Sequence, residues 1–372
     1  MYYLQTLLLG AAAGFFMQSR GKLRGTVAAT LVIWIFGVSA IYFRYGWFDQ
    51  LSFYQNDQLF HWQLISQFGY ENLQPSFDSI NYFRLPYTAP AYVLKSFGFD
   101  PTLALKFVSL CCALAVMTQV ENQLRPKFGR YSYTLFLLTA GPMLLFFSLL
   151  ALRETMMALC VTTAYITTSQ PKRLVSLICL LVLRPHLAAA VVFGFGWGWF
   201  VSRVSNRLYI ISLLVTSVAP ITAGTIGFAL GNFLLERKSF RLDQSLFLRD
   251  EIIQVFSAFA GLQFLTVAQR TVEFSTSSLL VLRAIFPEIF LIPICFTIAC
   301  LINTPRTTRL KLSVLATFVF FTAVSSGTQF LSVRQSLPLM PIMGLVVLHT
   351  IHTLRTNRDQ TRSLSIREQV LT

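Results

Sequence analysis

Charge is what this sequence has least of. Asp, Glu, Lys and Arg make up 12 % of its 372 residues, where soluble domains carry roughly 25 %. Acids are the scarcest, 15 against 30 Lys and Arg. A chain of this length has enough apolar residues for a large core, but too few charges to cover that core in water. An ordinary soluble globular domain is excluded, and a bilayer is the fitting solvent. Nucleotide-binding loops, zinc signatures and a Ser-His-Asp order are also missing. The glycines of Gly194-Phe195-Gly196-Trp197-Gly198 follow no strand pattern and lie in an apolar run, which points to close helix packing. The six cysteines all fall inside apolar runs, so a disulfide framework or metal cluster is not expected. No basic residues precede the first apolar stretch, which therefore reads as a first span and not as a cleaved signal peptide.

What is abundant agrees. Hydrophobic residues reach 55 %, with 35 Phe and 13 Tyr, and the mean hydropathy is +0.61. The net charge of +15 would suggest nucleic acid in a soluble protein. Here the basic residues cluster in short turns between apolar runs, as in cytoplasmic loops, and no nucleic-acid partner is expected.

A span needs about 20 apolar residues. Candidate spans cover 3–18, 26–43, 102–120, 132–151, 155–168, 174–183 with 186–201, 208–230, 279–302, 312–326 and 336–354. The expected fold is all-α: one polytopic transmembrane bundle of about 10–11 spans over 1–354, with a basic tail at 355–372. Basic turns at 20–24, 124–130, 171–173, 202–207 and 305–311, with the tail, hold more than half of the Lys and Arg. They mark the cytoplasmic side, so the N-terminus starts outside and the tail ends inside. Residues 174–201 then have to rise and return, which 28 residues cannot do as two full crossings. Arg184-Pro185-His186 marks the bend, giving a short hairpin; one long kinked helix is the alternative. Outer loops fall at 44–101 and 235–277, although an apolar stretch at 252–268 leaves open whether the chain crosses there.

Arg153, Arg184 and Arg334 stand at the outer ends of three different spans. The runs 155–168 and 174–183 reach only about 21 and about 15 Å, against a hydrocarbon core of about 30 Å. Arginine at membrane depth costs roughly 2.5–3.5 kcal/mol, so a shared wet cavity holding an anion is one account. Guanidinium planes suit phosphate and carboxylate. Snorkelling to headgroups, or a local pair such as Arg153 with Glu154, is the other. Residues 57–68 read as an amphipathic interfacial helix, with Asp57 either capping it or serving as a carboxylate base. Asp49, Asp78 and Arg84 are further candidates, and His186 is a proton carrier, a phosphate donor or a polar plug. Arg283 and Glu288 most simply pair. His349 and His352 lack a carboxylate or cysteine beside them, and no metal site is expected there.

Asp57 in the first outer loop, Leu152-Arg153-Glu154-Thr155, Arg184-Pro185-His186 and Arg334-Gln335 together resemble the bacterial repeat-unit polymerases of surface polysaccharides, of the Wzy and EpsG type. The chain is also similar to the wider GT-C class of membrane glycosyltransferases, whose catalytic acid in the first outer loop matches Asp57. Two features depart from those families. The paired outer loops with Arg and Gly at fixed spacing are not found, and neither is a soluble outer domain.

The resemblance implies a multi-pass glycosyltransferase of the bacterial inner membrane. It would join polyprenyl-diphosphate-linked oligosaccharides at the outer leaflet, in O-antigen, capsule or exopolysaccharide synthesis. Arg153, Arg184 and Arg334, with Arg84 and Gln335, would bind the diphosphate. Asp57, or alternatively His186 or Glu154, would take the acceptor proton. Trp47, Tyr54, Trp62, Tyr82 and Tyr87 would stack on sugars from water. No organic cofactor is implied, and nothing in the sequence supports a divalent metal. A chain-length regulator or a lipid flippase is the protein partner such an enzyme would have. The rival readings are a GT-C enzyme adding a single sugar and a transporter of an anionic lipid-linked solute.

Overall fold

The computed structural model describes residues 61–62, 64–66, 84–129, 141–149, 152–201, 203, 208–234, 288–304, 307–326 and 337–371. Among these, every regular element is a helix. We number them α1 (Leu85–Ser96), α2 (Pro101–Phe128), α3 (Gly141–Leu149), α4 (Glu154–Ile166), α5 (Gln170–Leu183), α6 (Pro185–Val201), α7 (Tyr209–Leu234), α8 (Glu288–Leu301), α9 (Thr308–Ser326) and α10 (Met340–Leu371). A short 3-10 turn, Leu337–Leu339, leads into α10. Among the described residues, two segments, Pro101–Phe128 and Leu337–Asn357, are long and apolar enough to cross a membrane.

Proline and polar caps set the helix starts. Pro101, Pro171 and Pro185 stand in the first turns of α2, α5 and α6, where a missing N–H costs nothing and a fixed φ helps. Asp100 caps α2, its Oδ1 accepting from the amides of Thr102 at 2.9 Å and Leu103 at 3.0 Å. Gly98 ends α1 with φ 87°; its amide donates to the Lys95 carbonyl at 2.8 Å, a left-handed exit that suits glycine.

Two details revise the sequence reading. Pro171-Lys172-Arg173 is not a turn but the opening of α5, which has 14 residues and reaches about 21 Å rather than about 15 Å. Arg173 instead closes the preceding bend, donating from Nε to the Ala164 carbonyl at 3.1 Å and from Nη2 to that of Thr167 at 2.7 Å. The expected basic turn at 124–130 likewise lies largely inside α2, which runs to Phe128, and α10 runs on through the basic tail to Leu371. The expected break at Arg184 is present: α5 stops at Leu183 and α6 starts at Pro185.

The chain divides into two compact units, residues 1–123 with 136–185, and residues 124–135 with 186–372. In the first, α4 and α5 pair, α5 meets α1, and α3 meets α4. In the second, α7 packs on α9, and α10 packs on α8 and α9. The glycine run does serve helix packing. A Cβ on Gly198 of α6 would stand 2.8 Å from the Ser313 Cβ and 3.1 Å from the Arg309 carbonyl oxygen of α9. Ser313 and Thr317 of α9 donate to the α6 carbonyls of Gly194 at 2.7 Å and Ala190 at 3.2 Å.

Candidate functional site

Four helix ends of the first unit are tied together by side-chain hydrogen bonds. Tyr87, in the first turn of α1, is fully buried. Its hydroxyl lies 2.8 Å from Ser109 Oγ and 3.2 Å from the Leu105 carbonyl oxygen of α2. Ser109 in turn donates to the carbonyl of Leu152 at 3.1 Å. Two hydroxyl protons thus serve three contacts, so the bonds compete and share. Burial pushes the Tyr87 hydroxyl well above its usual range; the Ser109 bond opposes this, while Cys112 and the nearby Glu154 charge add to it. The ring of His61 meets Tyr87 edge-on at 5.1 Å.

Leu152 leads directly to Arg153, the N-cap residue of α4. Arg153 Nη1 donates to the Leu183 carbonyl at 2.9 Å, which is one of the terminal carbonyls that α5 cannot satisfy internally. A cation at a helix C-terminus also interacts favourably with the helix dipole. That carbonyl belongs to the peptide unit joining Leu183 to Arg184, the C-cap of α5. Arg153 is therefore held against the chain beside Arg184. Glu154 follows as the first residue of α4 and is almost wholly buried. A carboxylate there sits favourably at the positive end of the helix. Arg84 stands at the N-cap of α1, and its carbonyl accepts from Thr88 Oγ1 at 3.1 Å.

The first unit thus brings Arg84, Arg153, Glu154 and Arg184 onto connected helix ends. His186 lies in the second unit, where its ring stacks on Phe321 at 5.6 Å and 9°. Asp57, Arg334 and Gln335 lie outside the described residues, as do Asp49, Asp78, Arg283, Trp47, Tyr54 and Tyr82. Tyr87 needs correction: expected as a water-exposed platform for sugar, it is sealed in the core and bonded to α2. Among the described residues no group of three or more His, Cys, Asp and Glu could hold a metal ion. The thiols are free but not uniformly buried, since Cys111 and Cys295 are exposed.

Sequence reasoning passed over Lys106, which lies in α2 with only 2 % of its surface exposed. The signal was available, because it is the one charge inside the candidate span 102–120, and an ionisable residue within a span is rare and costly. Asp100, near it, is pushed up by burial, an effect opposed by the Leu103 and Thr102 amides and by the Lys106 charge.

Comparison with known proteins adds nothing to this geometry: no family model, curated protein or solved structure matches the chain.

Proposed function

We infer that this chain is a multi-pass membrane glycosyltransferase of the repeat-unit polymerase kind, acting on polyprenyl-diphosphate-linked oligosaccharides at the outer leaflet. Exposed apolar stripes support the membrane part. On α7, Ile210, Leu214 and Val218 recur at every fourth position and are exposed; on α8, Leu291, Ile294, Ile298 and Leu301 repeat at three- and four-residue spacing and are exposed too. Fully burying one such side chain is worth about 1.5–3 kcal/mol. Stripes of this kind in water would forgo several kcal/mol per helix, and lipid recovers it.

The observation that carries the chemistry is the bond from Arg153 to the Leu183 carbonyl at 2.9 Å. It sets the start of α4 beside the end of α5, so that Arg153 and Arg184 occupy adjoining positions. The two helices have 13 and 14 residues, reaching about 20 and 21 Å, short of a hydrocarbon core of about 30 Å. Arginines on such short helices belong in a wet, polar recess rather than in lipid. A diphosphate group answers both their charge and their planar donor geometry.

In the reaction, the bond from the sugar C1 to diphosphate oxygen breaks and a bond from C1 to the acceptor hydroxyl oxygen forms. Arg153 and Arg184, with Arg84 and Arg334, offset the charge that builds on the departing diphosphate. The acceptor proton passes to a carboxylate, Asp57 in this proposal, with Glu154 and His186 as the alternatives.

The test is polysaccharide production in cells carrying Arg153→Ala or Arg184→Ala, with the membrane-inserted protein quantified in parallel. Both variants are expected to insert at wild-type levels and to yield no polymer. Full-length polymer from both removes the mechanism.

A further inference from the structure

Lys106 takes no part in the bonds that join the helix ends, yet it is buried among them. It stands in the second turn of α2, one turn before Ser109, and is 2 % exposed. Its ammonium has no hydrogen-bond partner among the described residues. Thr102, four residues earlier on the same helix face, is equally buried, and its hydroxyl also lacks a partner. Side chains four apart on a helix stand about 5–6 Å apart at Cβ, close enough for one small group to meet both. Asp100, whose Oδ1 accepts from two backbone amides, attracts Lys106 electrostatically but makes no hydrogen bond to it.

An ammonium carries three donors and no acceptor. Sealing it away from water without an acceptor is costly, and proteins seldom leave such a group open without a reason. This chain shows what a purely structural buried lysine looks like. Lys311 of α9 donates to the Ile302 carbonyl at 2.8 Å and to Thr304 Oγ1 at 2.5 Å. Lys106 has no equivalent. Its missing partner must be an acceptor, and its charge favours an anion. Ser109 connects its helix to the carbonyl beside Arg153, so further positive charge lies at the same end of the unit.

We propose that Lys106 and Thr102 form a buried oxyanion-binding position that takes a phosphate or diphosphate group, Lys106 supplying the charge and Thr102 a hydroxyl donor. This deepens the function inferred above, and the choice of diphosphate rests on it.

The experiment uses the full chain purified in lipid nanodiscs and titrated separately with inorganic diphosphate and with farnesyl diphosphate, the binding being read by calorimetry. Binding of the inorganic probe identifies the phosphate group itself as sufficient. Binding of farnesyl diphosphate alone identifies a lipid-borne source. In either case Lys106→Met should weaken the affinity roughly 10- to 100-fold, the worth of a charge-assisted hydrogen bond, and Lys106→Arg should restore most of it. Thermal unfolding of Lys106→Met should occur no lower than in the wild type, since an open buried charge has been removed. Should Lys106→Met not fold, Lys106→Gln repeats the titration. Unchanged affinity in the neutral variant, or a wild type that binds neither probe, overturns the assignment. Neither probe carries a sugar and no polymer is read, so failure here leaves the transferase reading standing. Loss of that reading in the Arg153 test likewise leaves this site to be judged on binding alone.

Discussion

Lys106 in the first unit and Lys311 in the second are both sealed inside helical packing, but only Lys311 finds acceptors, in the loop between α8 and α9. The contrast extends beyond lysine. In the second unit Ser313 and Thr317 reach carbonyls of α6, and Trp197 Nε1 donates to Thr216 Oγ1 at 2.7 Å. In the first unit the hydroxyls of Thr102, Thr155 and Thr162 are buried without a hydrogen-bond partner among the described residues. Among the described residues of the second unit, His349 Nε2 is the exception. Polar groups that satisfy one another fix helices against helices. The hydroxyls left open add nothing to that fixing.

The sharpest way to test the scaffold side is to overfill it. Gly198→Leu should destabilise the protein by about 3 kcal/mol or more, because α9 backbone leaves no room to yield. Gly196→Leu, two residues away with nothing within 4 Å of the new Cβ, should stay within about 0.5 kcal/mol. Thermal unfolding of the two variants in detergent checks this, and equal effects would break the close-packing account.

The lysines give the next largest difference. Lys311→Met removes a donor from the buried Ile302 carbonyl and from Thr304 Oγ1, and should cost about 2–3 kcal/mol. Lys106→Met leaves no orphaned acceptor behind, and should be neutral or stabilising, as replacements of buried charge by apolar groups often are. If both variants fall alike in unfolding temperature, the two lysines play the same structural part and the distinction between the units is lost.

A smaller effect refines the comparison. Thr317→Val deletes the bond to the Ala190 carbonyl, at a cost of about 1 kcal/mol. Thr155→Val, at a site with no bond to lose, should leave stability unchanged.

Most of the helices were legible in the sequence because apolar runs are a local signal, but α1 was not, since 85–96 read as part of the outer loop at 44–101. The start of α4 and the bend at Arg184 were signalled by Arg153-Glu154 and Arg184-Pro185 in the same way, with one long kinked helix as the alternative at the bend. What was not legible depended on contacts between distant segments. Tyr87 reads as an interfacial aromatic until Ser109, 22 residues on, is found against its hydroxyl. Pro171-Lys172-Arg173 reads as a basic turn because proline is a breaker in mid-helix, whereas in a first turn it is an opener. In helices apolar on every side, periodicity cannot say which face packs, so neither the exposure of Cys111 and Cys295 nor the burial of Lys106 was readable. Of the site, the sequence shows Arg153 and Arg184 only as the ends of separate apolar runs, and the Leu183 carbonyl that Arg153 meets was not readable.

The most direct measurement is made on purified protein in liposomes supplied with a polyprenyl-diphosphate-linked oligosaccharide, following both the released polyprenyl diphosphate and the length of the glycan. Wild-type protein should release the lipid diphosphate and build a ladder of repeat units, while Arg153→Ala, inserted to the same level, should do neither. Release and ladders of equal extent from the variant, or intact substrate after incubation with the wild type, would contradict the account.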